Sequence, residues 1–166
     1  MCVVVLVLAG IAFNLPSRGG SDNEPWSEKQ LMEPAKLAEA IKAGKGNEYV
    51  IFNIGPSGQI KGAINIGDAK EKENLAELEK QLVKLRKDEH IVVYCGCCPF
   101  RNCPNIRPAF SLLNEKGFKN HKLLNLPQNL KVDWIDKGYP IEGGCDCRQV
   151  RYRLMTAPLF VHCCHC

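Results

Sequence analysis

The sequence predicts an α/β domain: a parallel sheet of about four to five strands with helices on both faces. Three observations carry this. Short β-rich apolar runs alternate with segments of helical period from Trp26 onward. The runs YVIFNI (49–54) and IVVY (91–94) are almost continuously apolar, as strands buried on both faces are. Glycines stand where three of the four helices would stop, at Gly44, Gly117 and Gly138. Strand–helix alternation of this kind closes through right-handed crossovers.

Taken in order, residues 2–13 (CVVVLVLAGIAF) are uninterrupted apolar, too short to span a bilayer comfortably and about the length of a signal-peptide core, although no Lys or Arg precedes them. Residues 1–15 therefore read as a signal peptide or membrane anchor, with a buried first strand as the plain alternative, and the polar stretch 16–25 reads as a linker. Export would place the protein in the periplasm or on a membrane; without it the protein would be cytoplasmic. Pro34 suits a first helical turn and Leu37, Ala38 and Ile41 share one face, giving a helix over 33–43. The strand at 49–54 leads through a Gly-rich turn (Gly55, Gly58, Gly62) to a second short run, AINI at 63–66. Leu75, Leu78, Leu82 and Leu85 mark an amphipathic helix with a solvated Glu/Lys face. After IVVY come a cysteine loop, a helix over about 105–116, the run HKLLNL at 121–126 and a short helix around Val132–Lys137.

Composition narrows the function classes. Of the 166 residues, 45% are hydrophobic and 24% charged, ordinary values that exclude wholesale disorder, collagen and a multi-span membrane protein. The formal charge of +4 is scattered rather than gathered into a basic stripe, so nucleic acid is not implied as a partner. Ten cysteines are the unusual feature. Cys2 is alone, Cys95, Cys97, Cys98 and Cys103 form one group, and Cys145, Cys147, Cys163, Cys164 and Cys166 form another. Disulfide frameworks spread their cysteines to close loops, whereas tight groups suit reactive or metal sites.

Ligands in open parallel sheets bind beyond the carboxyl ends of the strands, and Cys95 is the first residue past the strand at 91–94. The loop reads CGCCPFRNCPN, with Gly96 permitting tight geometry and Pro104 suited to the first turn of the next helix. Loop amides and a helix N-terminus would cradle an anion and favour thiolate over thiol, and Arg101 and Arg107 would add positive charge. The expectation is a Cys95 sulfur protruding, ionised, into that ring of amides. Two other readings stand beside it: an inert buried thiol, and a Zn²⁺ site built from the Cys-x-Cys-Cys-x4-Cys spacing. The Cys-x5-Arg interval from Cys95 to Arg101 is also that of tyrosine phosphatases, though the extra thiols disfavour phosphoester chemistry. Trp26, Trp134 and Tyr139 read as packing residues and His90 as solvated.

The span from about Trp26 to Gly143 resembles a rhodanese-like (sulfurtransferase) domain. The resemblance lies in YVIFNIG, in GQIKGAINIG at 58–67, in IVVYC at 91–95 and in WIDKGYPI at 134–141, in that order, and is closest to a branch with a Cys-Gly-Cys-Cys-Pro loop. It implies a rhodanese-like parallel sheet, Cys95 as the persulfide-forming cysteine, and an anion-binding loop of Gly96, Cys97, Cys98, Pro99, Phe100 and Arg101. The reaction implied takes sulfane sulfur from a small anionic donor such as thiosulfate to a thiol or cyanide, with no cofactor required. The chain departs from the family pattern at Asn53, where Asp is usual, at Gln59, where His is usual, and in an enlarged loop. In that loop Cys97, Cys98 and Cys103 are candidate resolving thiols, so a thiol redox or relay protein is the alternative, with a non-catalytic metal-binding or docking module as a third reading. Membrane contact would come only through the N-terminal segment.

After Gly144 the residues CDCRQVRY and the ending FVHCCHC resemble the opening of glutathione-dependent formaldehyde-activating proteins, a zinc β-fold family, with Arg148 where Gly is usual. Cys145, Cys147, Cys164 and Cys166 are the candidate zinc ligands, with His162 and His165 beside them. The segment 144–166 is expected to be an incomplete zinc-type domain or an oxidation-prone end.

Overall fold

The computed structural model describes residues 24–144 and 151–153, with residues 143–144 and 151–153 described by their backbone alone. The apolar segment at 1–15, most of the linker and the tail's cysteines and histidines lie outside the described residues. Among the described residues, no helix is long and apolar enough to cross a membrane.

The elements run β1 (Leu31–Met32), α1 (Pro34–Lys42), β2 (Val50–Asn53), β3 (Gln59–Ile60), β4 (Ile64–Asn65), α2 (Lys72–Val83), β5 (His90–Tyr94), α3 (Ile106–Glu115), β6 (Asn120–Leu124), β7 (Ile141–Gly144) and β8 (Arg151–Arg153). Five strands form one sheet in the order β1-β6-β5-β2-β4, and every pair in it is parallel. The expected α/β class, strand number and parallel sheet are therefore present. Pro34 opens α1 and Gly44, at φ 76°, follows its end.

Two-residue alternation along the strands builds the two halves of the core. On one face, Ile51, Val92, Tyr94 and Leu124 pack with Leu37, Ala38 and Ile41 of α1 and with Trp134. On the other, Phe52, Ile91, Val93 and Leu123 pack with Leu78 and Leu82 of α2 and with Ile106, Ala109, Phe110 and Leu113 of α3. Helices thus cover both faces. The register Val50↔Ile91 through Asn53↔Tyr94 makes β2 and β5 end side by side, and the Ile54 N–H continues the ladder onto the Tyr94 carbonyl at 2.9 Å.

The structure differs from the sequence expectation in several places. The Gly-rich turn contains β3, which pairs antiparallel with β7, and β8 adds to β7 as a second, three-stranded sheet. Strands of two residues leave too little periodicity to read, and their partners are distant in sequence. The short helix near 132–137 is a wider π-type turn over Lys131–Ile135. The buried Asp133 carboxylate there accepts the N–H groups of Gln128 (2.7 Å) and Asn129 (2.9 Å). Pro104 precedes α3, and Pro108 occupies the first-turn position instead, its missing N–H being one the helix would leave unbonded. Leu85 lies past the end of α2 but still packs against the core.

Phe52 is fully buried in β2 between α2 and α3. Phe52→Ala is expected to lower unfolding free energy by about 3–5 kcal/mol in denaturant titration; a loss under about 1 kcal/mol would contradict this packing.

Candidate active site: a four-cysteine loop

Cys95 follows β5 directly and continues its alternation, so its side chain turns with those of Ile91 and Val93 toward the α2/α3 face. The backbone of Gly55, leaving the adjacent β2, packs directly on Cys95 Sγ. A Cβ at position 55 would overlap the sulfur, so only glycine fits. Gly96 then turns the chain at φ 75°, and a Cβ there would sit 2.7 Å from Leu130 Cβ.

Polar side chains and main-chain groups fix the surrounding backbone. The Ser57 hydroxyl donates to the Cys95 carbonyl, and the Leu130 N–H donates to the Gly96 carbonyl at 2.9 Å. Asn53 accepts the Gly55 N–H at 3.2 Å and donates its Nδ2 to the Ser57 carbonyl at 3.0 Å. An aspartate could do only the first, so asparagine satisfies both ends of this turn. The buried Tyr94 hydroxyl accepts the Ile60 N–H (2.9 Å) and donates to the Gly58 carbonyl (3.2 Å), and burial pushes its pKa upward. Gln59 Nε2 donates to the Ala63 carbonyl.

The sulfur atoms are gathered closely. Cys97 Sγ lies 3.2 Å from Cys95 Sγ, 3.3 Å from Cys98 Sγ and 4.0 Å from Cys103 Sγ. Asn105 starts α3 without capping it in the usual way. Its Oδ1 accepts the Lys70 N–H at 3.0 Å, which turns its Nδ2 onto Cys95 Sγ at 3.3 Å. The same placement sets the sulfur against the N-terminus of α3, where the helix dipole favours an anion.

These contacts separate the thiols electrostatically. The neighbouring Cys103 thiol, within 4.8 Å of Cys95 Sγ, is the largest influence lowering the Cys95 pKa; with Asn105 and Cys97 it outweighs desolvation and brings the pKa to about 5. Desolvation and the neighbouring Cys95 and Cys98 raise Cys97 to about 12, and Cys103 is pushed up by the nearby Cys95 and by desolvation. Of these three thiols, Cys95 is therefore the one that ionises first. A pKa held below the ordinary 9.0 stabilises the fold above that pH, and this stabilisation fades as pH falls through about 5.

Several expected features are placed differently. Cys95 is only 1% exposed rather than protruding, because strand alternation carries it inward and Cys97 lies over it. Cys97 is the exposed thiol and Cys98 is half-buried, while Cys103 is buried. Arg101 forms ion pairs with Glu24 (2.6 Å) and Glu28 (2.8 Å), and Arg107 donates to the Arg101 carbonyl at 2.8 Å. Arg101 is thus committed to the N-terminal segment and Arg107 to the loop backbone, rather than to the sulfur. Phe100 is a core residue beside Trp26, and Pro99 is exposed. Of the expected anion-binding loop, Gly96 and Cys97 line an open cleft of about 360 Å³, together with Pro56, Ser57, Gly58, Asn129, Leu130, Lys131 and Ile135. Trp26, Trp134 and Tyr139 pack as expected, and His90 is exposed.

Cys95, Cys97 and Cys103 offer three sulfur ligands within 4.8 Å of one another, enough to hold a thiophilic metal ion at the expense of a free Cys95. Asn105, Ser57 and Gly55 had no assigned role in the sequence reading. For Asn105 a signal existed: asparagine at the last loop position before a helix has a side chain free to bond locally.

A thiol with a lowered pKa at the carboxyl end of a central parallel strand, with Asn105 Nδ2 and Cys97 Sγ beside it, is an arrangement of an α/β domain suited to cysteine chemistry. A model of the rhodanese-like domain matches residues 37–126, just over half of the chain, and the protein belongs to that family. With membership comes a sulfur-related, sulfurtransferase-type function at the level of the family. No curated protein matches the chain. No solved structure matches it either.

Ultraviolet thiolate absorbance should rise in a first step near pH 5 that Cys95→Ser removes. Asn105→Ala, which deletes a donor to the thiolate, should move that step to higher pH; an unmoved step would mean the amide does not act on the sulfur.

Proposed function

We propose that the domain is a sulfurtransferase carrying sulfane sulfur as a Cys95 persulfide, with thiosulfate-like anions as donors and cyanide or a thiol as acceptor. The observation behind this reading is that Asn105 Nδ2 and Cys97 Sγ lie 3.3 and 3.2 Å from Cys95 Sγ with Cys103 close by, and that the Cys95 pKa is lowered while those of Cys97 and Cys103 are raised. The Cys95 thiolate attacks the outer sulfur of thiosulfate. The sulfur–sulfur bond of the donor breaks, and its electron pair leaves on sulfite. Cyanide or a thiolate then attacks the outer sulfur of the persulfide, forming thiocyanate or a new persulfide and returning the electron pair to Cys95.

Every partner in these steps is anionic or becomes so, and the groups around the sulfur are neutral donors that stabilise negative charge without needing an acid or base. The open cleft beside Cys97 suits a small anion, and Lys131 lies on its wall. Because Cys97 covers Cys95, rotation of the Cys97 side chain is the smallest movement that admits a donor. Thiol redox relay is a second reading, favoured by the 3.2 Å separation of Cys95 and Cys97. Zinc at Cys145, Cys147, Cys164 and Cys166, and an export or anchoring role for residues 1–15, belong to segments on which this reading does not depend.

Thiocyanate formation from thiosulfate and cyanide measures the reaction. Cys95→Ser is expected to reduce it to the uncatalysed background while circular dichroism stays unchanged, whereas Cys95→Ser with wild-type turnover would exclude Cys95 as the sulfur carrier.

A further inference from the structure

Cys95 and Cys97 occupy complementary positions. Cys95 is 1% exposed and does not line the cleft, whereas Cys97 is exposed and lines it, with the two sulfur atoms 3.2 Å apart. The single residue between them is Gly96, whose φ of 75° and tight fit against Leu130 and Ser57 set the turn that brings the two side chains together. A persulfide formed on Cys95 would therefore have Cys97 as its nearest exposed thiol, and an acceptor in the cleft would meet Cys97 first.

We propose that Cys97 is a second persulfide site: sulfane sulfur loaded on Cys95 passes to Cys97, which presents it in the cleft to a thiol or cyanide acceptor. This rests on the Cys95 persulfide reading and extends it. The Cys97 thiol proton moves to the terminal sulfur of the Cys95 persulfide, leaving Cys97 as thiolate. Cys97 Sγ then attacks that terminal sulfur. A sulfur–sulfur bond forms at Cys97, the one at Cys95 breaks, and its electron pair stays on Cys95 as thiolate. No external oxidant or reductant is consumed.

The surroundings favour this direction. In exchange at sulfur, the thiol of lower pKa is the better leaving group and the one of higher pKa the better nucleophile once ionised. Asn105 Nδ2, 3.3 Å from Cys95 Sγ, stabilises the negative charge that gathers there as a bond to Cys95 breaks, so the bond at Cys95 is the one that breaks readily. Cys98, 3.3 Å from Cys97, is not within the 4.8 Å group formed by Cys95, Cys97 and Cys103, which leaves Cys97 and Cys103 as the candidate receivers at Cys95. Cys103 is buried and does not line the cleft, so sulfur passed to it would gain no access to an acceptor there.

The test is site assignment by mass spectrometry on the full chain. The protein is treated with thiosulfate without acceptor, alkylated and digested, and fragment ions between residues 95 and 97 locate the added sulfur. The expected result is added sulfur on Cys97 in the wild-type chain. In Cys97→Ser the sulfur should remain on Cys95 and transfer to cyanide should slow by roughly tenfold or more. Added sulfur confined to Cys95 in the wild-type chain overturns the relay while leaving the Cys95 persulfide standing. A Cys95–Cys97 disulfide with no added sulfur also overturns it, in favour of redox chemistry. No added sulfur in either protein overturns the sulfurtransferase reading itself. The wild-type assignment decides the matter even if Cys97→Ser fails to fold.

Discussion

The close approach of the Gly55 backbone to Cys95 Sγ is the constraint on which the rest of the site depends. It exists because β2 and β5 pair in a register that ends both strands together, so two loops leave the sheet in contact. With the sulfur held against one loop, Asn105 can reach it from α3 and Cys97 from the turn after Gly96. A glycine with no catalytic group thus sets the position of every group that has one.

A second consequence is electrostatic. Sulfur atoms this close cannot all ionise, so stabilising one thiolate raises the cost of ionising the next. The low pKa of Cys95 and the high values of its neighbours are one phenomenon seen from different atoms. Asymmetry comes from Asn105, a donor aimed at Cys95 and oriented by the Lys70 N–H at its other end. Arg101 and Arg107, the cationic residues that follow Cys95 in the loop and α3, take no part, because Glu24 and Glu28 pair with Arg101 and the Arg101 carbonyl accepts from Arg107.

The parallel sheet was legible because its central strands are continuous apolar runs and its helices carry clear apolar stripes with glycine stops, as at Gly44 and Gly117. Cys95 was legible as the loop's first residue by the same logic of strand ends. Its burial followed from the alternation of β5 and could have been read from it, since residues 91, 93 and 95 share a side. The role of Ser57 could not, because it arises from a contact across 38 positions that no local pattern encodes, and the place of Asn105 before a helix marked a side chain available for bonding without marking its partners. The short strands β1, β3, β7 and β8 escaped for a related reason: strands of two to four residues are defined by their partners rather than by their own composition.

The small sheet β3-β7-β8 lies largely outside the span matched by the family model, which stops at residue 126. Its innermost strand is β7, and β3 on its flank continues into the Gly58–Ile60 segment gripped by the Tyr94 hydroxyl beside the cleft. A protein trimmed to the matched span would strip β3 of its partner and leave a bare ribbon edge open to another molecule. The useful boundary for producing this domain therefore falls at or beyond residue 144, where β7 ends, past the span that the family model matches.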